Sequence, residues 1–572
     1  MKLKTSMISA VCAAVIVSCD DKMNYHEYTN YGKDYMELSY DNISGFITNI
    51  YTKLDYDFGQ IYSGGMLASA CDEAEYAYPS NPVCDFYNGA WSPANPKENT
   101  WTSSYAVIQL CNHYLDNFQD LTFPELKLNM DYDAKMNAYR NYSYEARFLR
   151  AYFYFNLVRQ YGDVPLVEHV PATSEVNNLE RTPAVEVFAF IERECDAIAD
   201  IIIVDYTDLG GLALASAETG RANRAAVLAL KARAALYAAS PLFNPENSPE
   251  LWLKAALANK AVLDICKEHG YVLGKYSDLW GEANWATGKG KEMIFMRRMY
   301  PDATNTLEGY NFPIGVEGGN SGNCPTQTLV DAYEMEATGK LWNEQGSGYD
   351  PANPYQGRDP RFELTIAKNG DARWPTYNTL ELQTYYGGVN GEPVSGATPT
   401  GYYLKKYCDA SVNLTASARN TKRHTWITYR LGEFYLNYAE AVFKYLGSAD
   451  ATSSEFTISA REAVNVIRSR TDVQMPELPV GLSSDDFWKK YTNERMVELA
   501  FEGHRFWDVR RWKEADKYFR SITQMKITKN ADATFTYRRQ VVDRQWDDKM
   551  YFFPIPQSER MKNQNLTQNT GW

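Results

Sequence analysis

The stretch from Arg221 to Ser240 carries alanine at 225, 226, 229, 232, 235 and 239 and stops at Pro241. Small residues along a helix let a neighbouring helix approach closely, so this segment predicts a helix packed tightly between others. A second amphipathic run, Trp252 to Cys266, follows it and supplies a partner.

Other segments repeat that arrangement. Trp101, Tyr105, Ile108, Cys111 and Leu115 fall on one helical face, as do Tyr142, Ala146, Leu149, Phe153 and Leu157 before a stop at Gly162-Asp163-Val164-Pro165. Thr428 to Leu446 and Ser459 to Arg470 form another pair, and Glu494 to His504 starts a further helix. Helical hairpins of tetratricopeptide type pack in this way, although no clean 34-residue repeat runs through the chain. The expected fold class is mainly α: a platform of such hairpins with long irregular loops and a few short strands, among them Glu292-Met293-Ile294-Phe295. The long loops, Tyr76 to Thr100, Tyr276 to Pro325 and Trp342 to Thr425, are rich in Gly, Pro, Asn and aromatic residues. Loops of this length in a folded domain usually carry function, which places the ligand surface on them.

The N-terminus reads as an export signal. Lys2 and Lys4 precede an apolar stretch, Thr5 to Val17, which is shorter than the ~20 residues of a membrane span and is cut off by Asp20 and Asp21. Ile16-Val17-Ser18-Cys19 places a cysteine where a lipoprotein signal peptidase cleaves, so residues 1–18 are expected to leave and Cys19 to carry lipid. Acyl chains contribute about 0.8 kcal/mol per buried methylene, which anchors a chain at a membrane without spanning it. Of nine cysteines, seven remain after Cys12 leaves and Cys19 is lipidated; they are far apart with no C-x-x-C pair, which indicates buried thiols rather than a disulfide framework or a zinc ribbon.

Without Lys2 and Lys4 the chain has 56 basic against 72 acidic side chains, which argues against nucleic acid as a partner. There is no G-x-x-x-x-G-K, H-E-x-x-H or G-x-S-x-G pattern, and six histidines are too few for a convincing metal cluster, so neither cofactor nor metal is expected. Forty-three Tyr and thirteen Trp residues are the informative excess, because their flat faces suit both half-wet cores and stacking against sugar rings.

Four stretches in order carry a family resemblance. Tyr144-Glu145-Ala146-Arg147-Phe148-Leu149-Arg150-Ala151-Tyr152 runs on to Gly162-Asp163-Val164-Pro165-Leu166. Leu329-Val330-Asp331-Ala332-Tyr333-Glu334-Met335 precedes Arg358-Asp359-Pro360-Arg361-Phe362. Glu494-Arg495 leads to the block from Glu498 to Trp512, and Phe553-Pro554-Ile555-Pro556 precedes the closing Asn565 to Trp572. Together these resemble the SusD/RagB family over nearly the whole mature chain. The resemblance implies a SusD-like fold with an N-terminal part, 19–325, and a C-terminal part, 326–572, forming one unit. It also implies a lipid-anchored outer-membrane protein, exposed at the cell surface, that captures oligosaccharide or polysaccharide. The implied partner is a SusC-type TonB-dependent transporter.

The charged block Glu498, Glu502, His504, Arg505, Asp508, Arg510 and Arg511 reads as a buried structural network, since spacings of three and four bring opposite charges together and flanking aromatics cover them. Asp72, Glu73 and Glu75 lie where a helix gives way to the first long loop; they are expected in a solvated loop or on a ligand's hydroxyls, with catalysis the least expected role. A sugar site needs aromatic platforms flanked by amides and carboxylates. The candidates are Trp91 and Asn95 in one loop and Trp285, Tyr300, Tyr310, Asn311 and Asn320 in another, with Trp280 also present there. Trp101 belongs to the core, because it opens an apolar stripe. The resemblance implies ligand contacts from these loops and raises Trp91, Asn95 and Tyr300 in particular. The competing readings are a RagB-like peptide receptor, a secreted glycosidase, and a helical scaffold that binds only proteins.

Overall fold

The computed structural model describes residues 33–59, 61–97, 100–206, 220–280, 292–299 and 306–572. The signal segment 1–18, Cys19, Trp285 and Tyr300 lie outside the described residues. Ten helices build the platform: α1 Tyr40–Tyr51, α2 Thr100–Asn117, α3 Tyr132–Tyr161, α4 Ala184–Ala199, α5 Arg224–Ala239, α6 Pro249–Glu268, α7 Leu431–Leu446, α8 Ala460–Arg468, α9 Ser484–Glu498 and α10 Arg505–Arg511. Consecutive helices pair as expected, α2 with α3, α5 with α6 and α7 with α8, while α4 packs on both α3 and α5. Among the described residues no helix is long and apolar enough to cross a membrane.

The alanine-rich α5 lies at the centre of this platform. Asn223 caps it by accepting the Ala226 N–H at 3.0 Å, and Pro241 ends it. All its alanines are buried, and it touches α4, α6 and α7. A larger side chain on any of those faces would force the neighbouring helices apart.

Two of the expected helix limits move. The segment from His424 to Arg430 is a strand, so the helix expected from Thr428 begins at Leu431; Thr425, Trp426, Ile427, Thr428 and Tyr429 are residues that favour pleated, half-buried backbone. The helix expected to run from Glu494 through His504 instead ends at Glu498. Phe501 and Gly503 take φ of 62° and 75°, a left-handed turn that breaks the axis before α10 restarts at Arg505.

Four two-stranded antiparallel sheets complete the described elements: β1 Ala74–Tyr76 with β3 Asn323–Pro325, β2 Met293–Met299 with β6 His424–Arg430, β4 Ile366–Ala367 with β5 Tyr403–Leu404, and the long hairpin of β7 Ser521–Lys529 with β8 Phe535–Asp543. The strand expected around Glu292 to Phe295 is β2. One apolar cluster runs through the helices from Tyr40 to Leu566. A second lies under the loops, where Phe58, Phe312, Tyr333, Phe362, Trp426, Phe501 and Ile527 pack. The seven described cysteines are all buried thiols with no disulfide between them.

The C-terminal charged block is a buried ionic network. Glu498 accepts from Arg361, Arg430 and Arg470 at 2.9, 2.8 and 2.9 Å. Glu502 accepts from Arg430 and Lys406, Asp508 from Arg495 and Arg511, and Glu440 from both ends of the Arg511 guanidinium. Burial alone would raise the Glu498 carboxyl, but Arg470, Arg430 and Arg361 together hold it well below the ordinary carboxylate value. Glu440 is likewise pushed up by burial and pulled down further by Arg511 and Arg495, to about 2. This network joins two stretches of the chain, β6 with α7 and α9 with α10, and draws in Arg361, Lys406 and Arg470 from the segments between and before them.

Candidate functional site

The loop surface is organised by one tight turn. Tyr62, Ser63, Gly64 and Gly65 close on a Gly65 N–H to Tyr62 carbonyl bond of 3.1 Å, with Ser63 and Gly64 both left-handed at φ 52° and 96°. A side chain at Gly64 would stand 2.6 Å from the Tyr310 ring and 2.5 Å from the Tyr76 hydroxyl. Glycine is therefore required, because the Tyr310 ring and the Tyr76 hydroxyl both lie against the bare backbone of the turn.

Several amides lock the turn in place. Asn323 donates to the Gly64 carbonyl at 3.0 Å and accepts from the Met66 N–H and the Ser69 hydroxyl at 2.7 and 2.8 Å. Asn311 accepts both the backbone and side-chain N–H of Asn323, and its own amide donates to the Leu307 carbonyl. Asn81 donates to the Ser63 carbonyl at 3.1 Å, and the Tyr76 hydroxyl reaches the same oxygen at 3.4 Å. Pairing of Tyr76 with Asn323 across β1 and β3 fixes the register.

What remains accessible is a small aromatic surface. Tyr310 and Tyr78 are half-buried, Ser63 and Asn320 are exposed, and the Tyr76 and Tyr78 rings lie 6.3 Å apart. Burial raises the Tyr76 hydroxyl well above its ordinary value, so it stays protonated. Half-exposed tyrosine rings match the apolar faces of a sugar ring, and their hydroxyls its polar rim.

The other expected residues fall elsewhere. Asp72 and Glu73 are not in a solvated loop and do not face a ligand: both are buried, and Asp72 takes both ends of the Arg505 guanidinium. Glu73 accepts the Phe501 N–H at 3.4 Å, and burial together with the Asp72 charge pushes its carboxyl up to about 8. Glu75 pairs with Arg544 at 2.7 Å. The chain turns inward after Met66, so these acids meet the C-terminal arginines instead of water.

Trp91 is a core residue and not a platform. It is 3% exposed, with the rings of Phe86, Phe553 and Trp572 at 4.7, 4.8 and 5.0 Å. The C-terminal segment covers it, and the Gln557 N–H donates to the Pro93 carbonyl. Asn95 is exposed, but its amide closes its own loop on Asp85 and the Ala90 carbonyl. Asn311 is buried and acts as a positioning residue through Asn323. Trp280 is half-buried, with the Lys406 ammonium 4.8 Å from its ring centre. Trp101 is buried, as its place on an apolar stripe implies. Among the described candidates Tyr310 lies against the Gly64 turn; the packing of Tyr76 and Tyr78 beside that turn was not expected from the sequence, because it depends on contacts between separate loops.

The model described as the SusD family matches residues 268–572, and one described as "Starch-binding associating with outer membrane" matches residues 27–236. A SusD-like protein of Formosa agariphila is 26% identical over 489 residues, covering 82% of this chain and 79% of its own. The crystal structure of a SusD-like protein from Bacteroides fragilis superposes with a TM-score of 0.75 at 24% identity, covering 94% of this chain and 98% of its own. A SusD-like carbohydrate binding protein from the same organism gives 0.73 at 23% identity, covering 93% and 100%. At these identities the two structures establish the fold.

Proposed function

The chain belongs to the SusD family, and from that premise we propose that it is a non-enzymatic receptor that captures oligosaccharide or polysaccharide at the cell surface and hands it to a SusC-type TonB-dependent transporter. In this reading lipid on Cys19 holds it at the outer membrane, facing outward. The observation that carries the glycan reading is the Tyr310 ring, seated on the bare Gly64 backbone beside Tyr76, whose ring in turn lies near Tyr78. A rigid aromatic face binds a sugar with little ordering cost, and Asn320 and Ser63 supply hydrogen bonds at its rim.

Binding without chemistry fits the acidic residues of this region. Asp72 is neutralised by Arg505 and Glu73 is enclosed, so neither is free to act as the acid or base of a glycosidase. Modest affinity suits the task, since a ligand held near a transporter gains effective concentration and must still be released.

Affinity electrophoresis and a glycan array with the chain beginning after Cys19 test the reading, run beside Tyr310→Ala. Retardation by a polysaccharide, lost in the variant with no product released, is the expected result. Binding of peptide mixtures with no glycan bound would replace it with the peptide-receptor reading.

A further inference from the structure

A second cleft of about 270 Å³ lies between the β7–β8 hairpin and the loop from Thr384 to Gly401. Its chemistry differs from that of the tyrosine surface. Lys526 and Arg538 face each other directly across the hairpin, an arrangement of like charges that weakens a strand pair. Glu392 satisfies only one of them: both its oxygens accept from the Lys526 ammonium, at 3.0 and 2.9 Å, and the Pro399 carbonyl takes a third hydrogen bond at 3.1 Å. Arg538 is exposed and has no ion pair among the described residues. The cleft therefore carries one uncompensated guanidinium on a chain whose overall charge is strongly negative.

Two further features point into the same space. The Tyr386 N–H donates to the Ile527 carbonyl at 2.9 Å, which holds the residue at the cleft beside β7 while its ring stays 67% exposed. Thr384 also lines the cleft; it is 6% exposed, and its hydroxyl has no hydrogen-bond partner. A buried hydroxyl without a partner is unfavourable unless a ligand satisfies it. Gln540 adds an amide at the same face.

We propose that this cleft is a second glycan site that takes an anionic sugar unit, its charge carried by a carboxylate or a sulfate ester. Arg538 receives the anion through its planar fork, the Tyr386 ring stacks on the sugar face, and Thr384 and Gln540 bond its hydroxyls. Glu392 neutralises Lys526 and leaves Arg538 as the anion receptor. This inference rests on the glycan-receptor reading and adds to it a charge preference.

Calorimetric titration of the chain with oligogalacturonate, its carboxyl-reduced neutral counterpart and a sulfated oligosaccharide tests it, using the parent, Arg538→Gln and Tyr310→Ala. At least one anionic oligosaccharide is expected to bind more tightly than the neutral one, with affinity falling as salt rises, and which of the two it is identifies the charged group. Arg538→Gln should weaken that ligand by roughly tenfold while neutral-glycan binding stays the same. Because the substitution removes a like-charge pair from an exposed hairpin, its melting temperature should not fall. An acidic-to-neutral affinity ratio that is the same in Arg538→Gln and the parent overturns the anion site but leaves glycan capture standing; binding of none of the three in any form overturns both.

Discussion

The Arg505 guanidinium faces the Asp72 carboxylate side-on, Nε to Oδ1 at 3.0 Å and Nη2 to Oδ2 at 2.8 Å, across 433 positions of sequence. Removing the acid takes away the carboxylate that pairs with a buried cation, which also packs on the Tyr518 ring at 4.3 Å. Asp72→Ala should destabilise the fold by about 3–5 kcal/mol, measured by denaturant unfolding. At a temperature where the variant remains folded, its glycan affinity should equal the parent's. Lost binding in a folded Asp72→Ala protein would return the residue to the ligand site.

Glu73 gives a pH signature. Its carboxyl is held up at about 8 by burial and by the Asp72 charge, whereas the unfolded chain ionises near 4.5. Between those values the unfolded state loses its proton first, so this residue's penalty on stability grows as pH rises from about 4.5 to about 8 and is constant beyond. Glu73→Gln keeps the acceptor for the Phe501 N–H and removes the titration. The variant should be more stable than the parent at pH 8, by a few kcal/mol at most, with the difference fading toward pH 4.5. Equal pH profiles for the two proteins would contradict the assignment.

Glu440 supplies the acid limb. Its carboxyl is depressed to about 2 by Arg511 and Arg495 against the upward effect of burial. A depressed carboxyl contributes stability above the unfolded value near 4.5 and loses it as pH falls toward 2. Unfolding followed by circular dichroism from pH 5 to pH 2 should therefore show a marked loss of stability over that window, and Glu440→Gln should flatten it while lowering stability at neutral pH.

Trp91 and Tyr310 should separate cleanly when each is truncated. Trp91→Ala opens a hole among Phe86, Phe553 and Trp572 and should cost about 3–5 kcal/mol while leaving the affinity of the folded fraction intact. Tyr310→Ala should cost far less stability and abolish retardation in a glycan gel. The reverse pattern would move the binding surface back to the first loop.

Gly64→Ala tests the turn itself. A methyl group there meets both the Tyr310 ring and the Tyr76 hydroxyl, at a φ that side chains avoid. The substitution should lower the melting temperature and weaken glycan binding together, because the aromatic surface can no longer rest on the backbone.

The helical platform was legible because apolar periodicity and alanine crowding are local signals, and the α2–α3, α5–α6 and α7–α8 pairs follow from them. The charged block was legible for a related reason, since Glu498, Glu502 and Arg505 reveal their spacing within one short stretch. The fates of Trp91, Asp72 and Glu73 were not. Each is decided by a partner hundreds of residues away, Phe553, Arg505 or Phe501, and no local pattern distinguishes a tryptophan under the C-terminal segment from one in water. The aromatic surface was half legible: Tyr310 lay in a loop of suitable composition, but its seat depends on a backbone turn at Gly64 that only the tertiary contact reveals.

The Asp72–Arg505 pair also makes the early loops depend on the far end of the chain. The acid and its counterion are more than four hundred residues apart, and without Arg505 the Asp72 charge is stable only in water. Backbone on either side of it, the Ser63-Gly64 turn before and β1 after, cannot settle into its buried position while that charge is hydrated. The surface proposed to meet the sugar, drawn from the Ser63-Gly64 turn, Tyr76, Tyr78 and Tyr310, thus depends on a counterion that belongs to the far end of the chain.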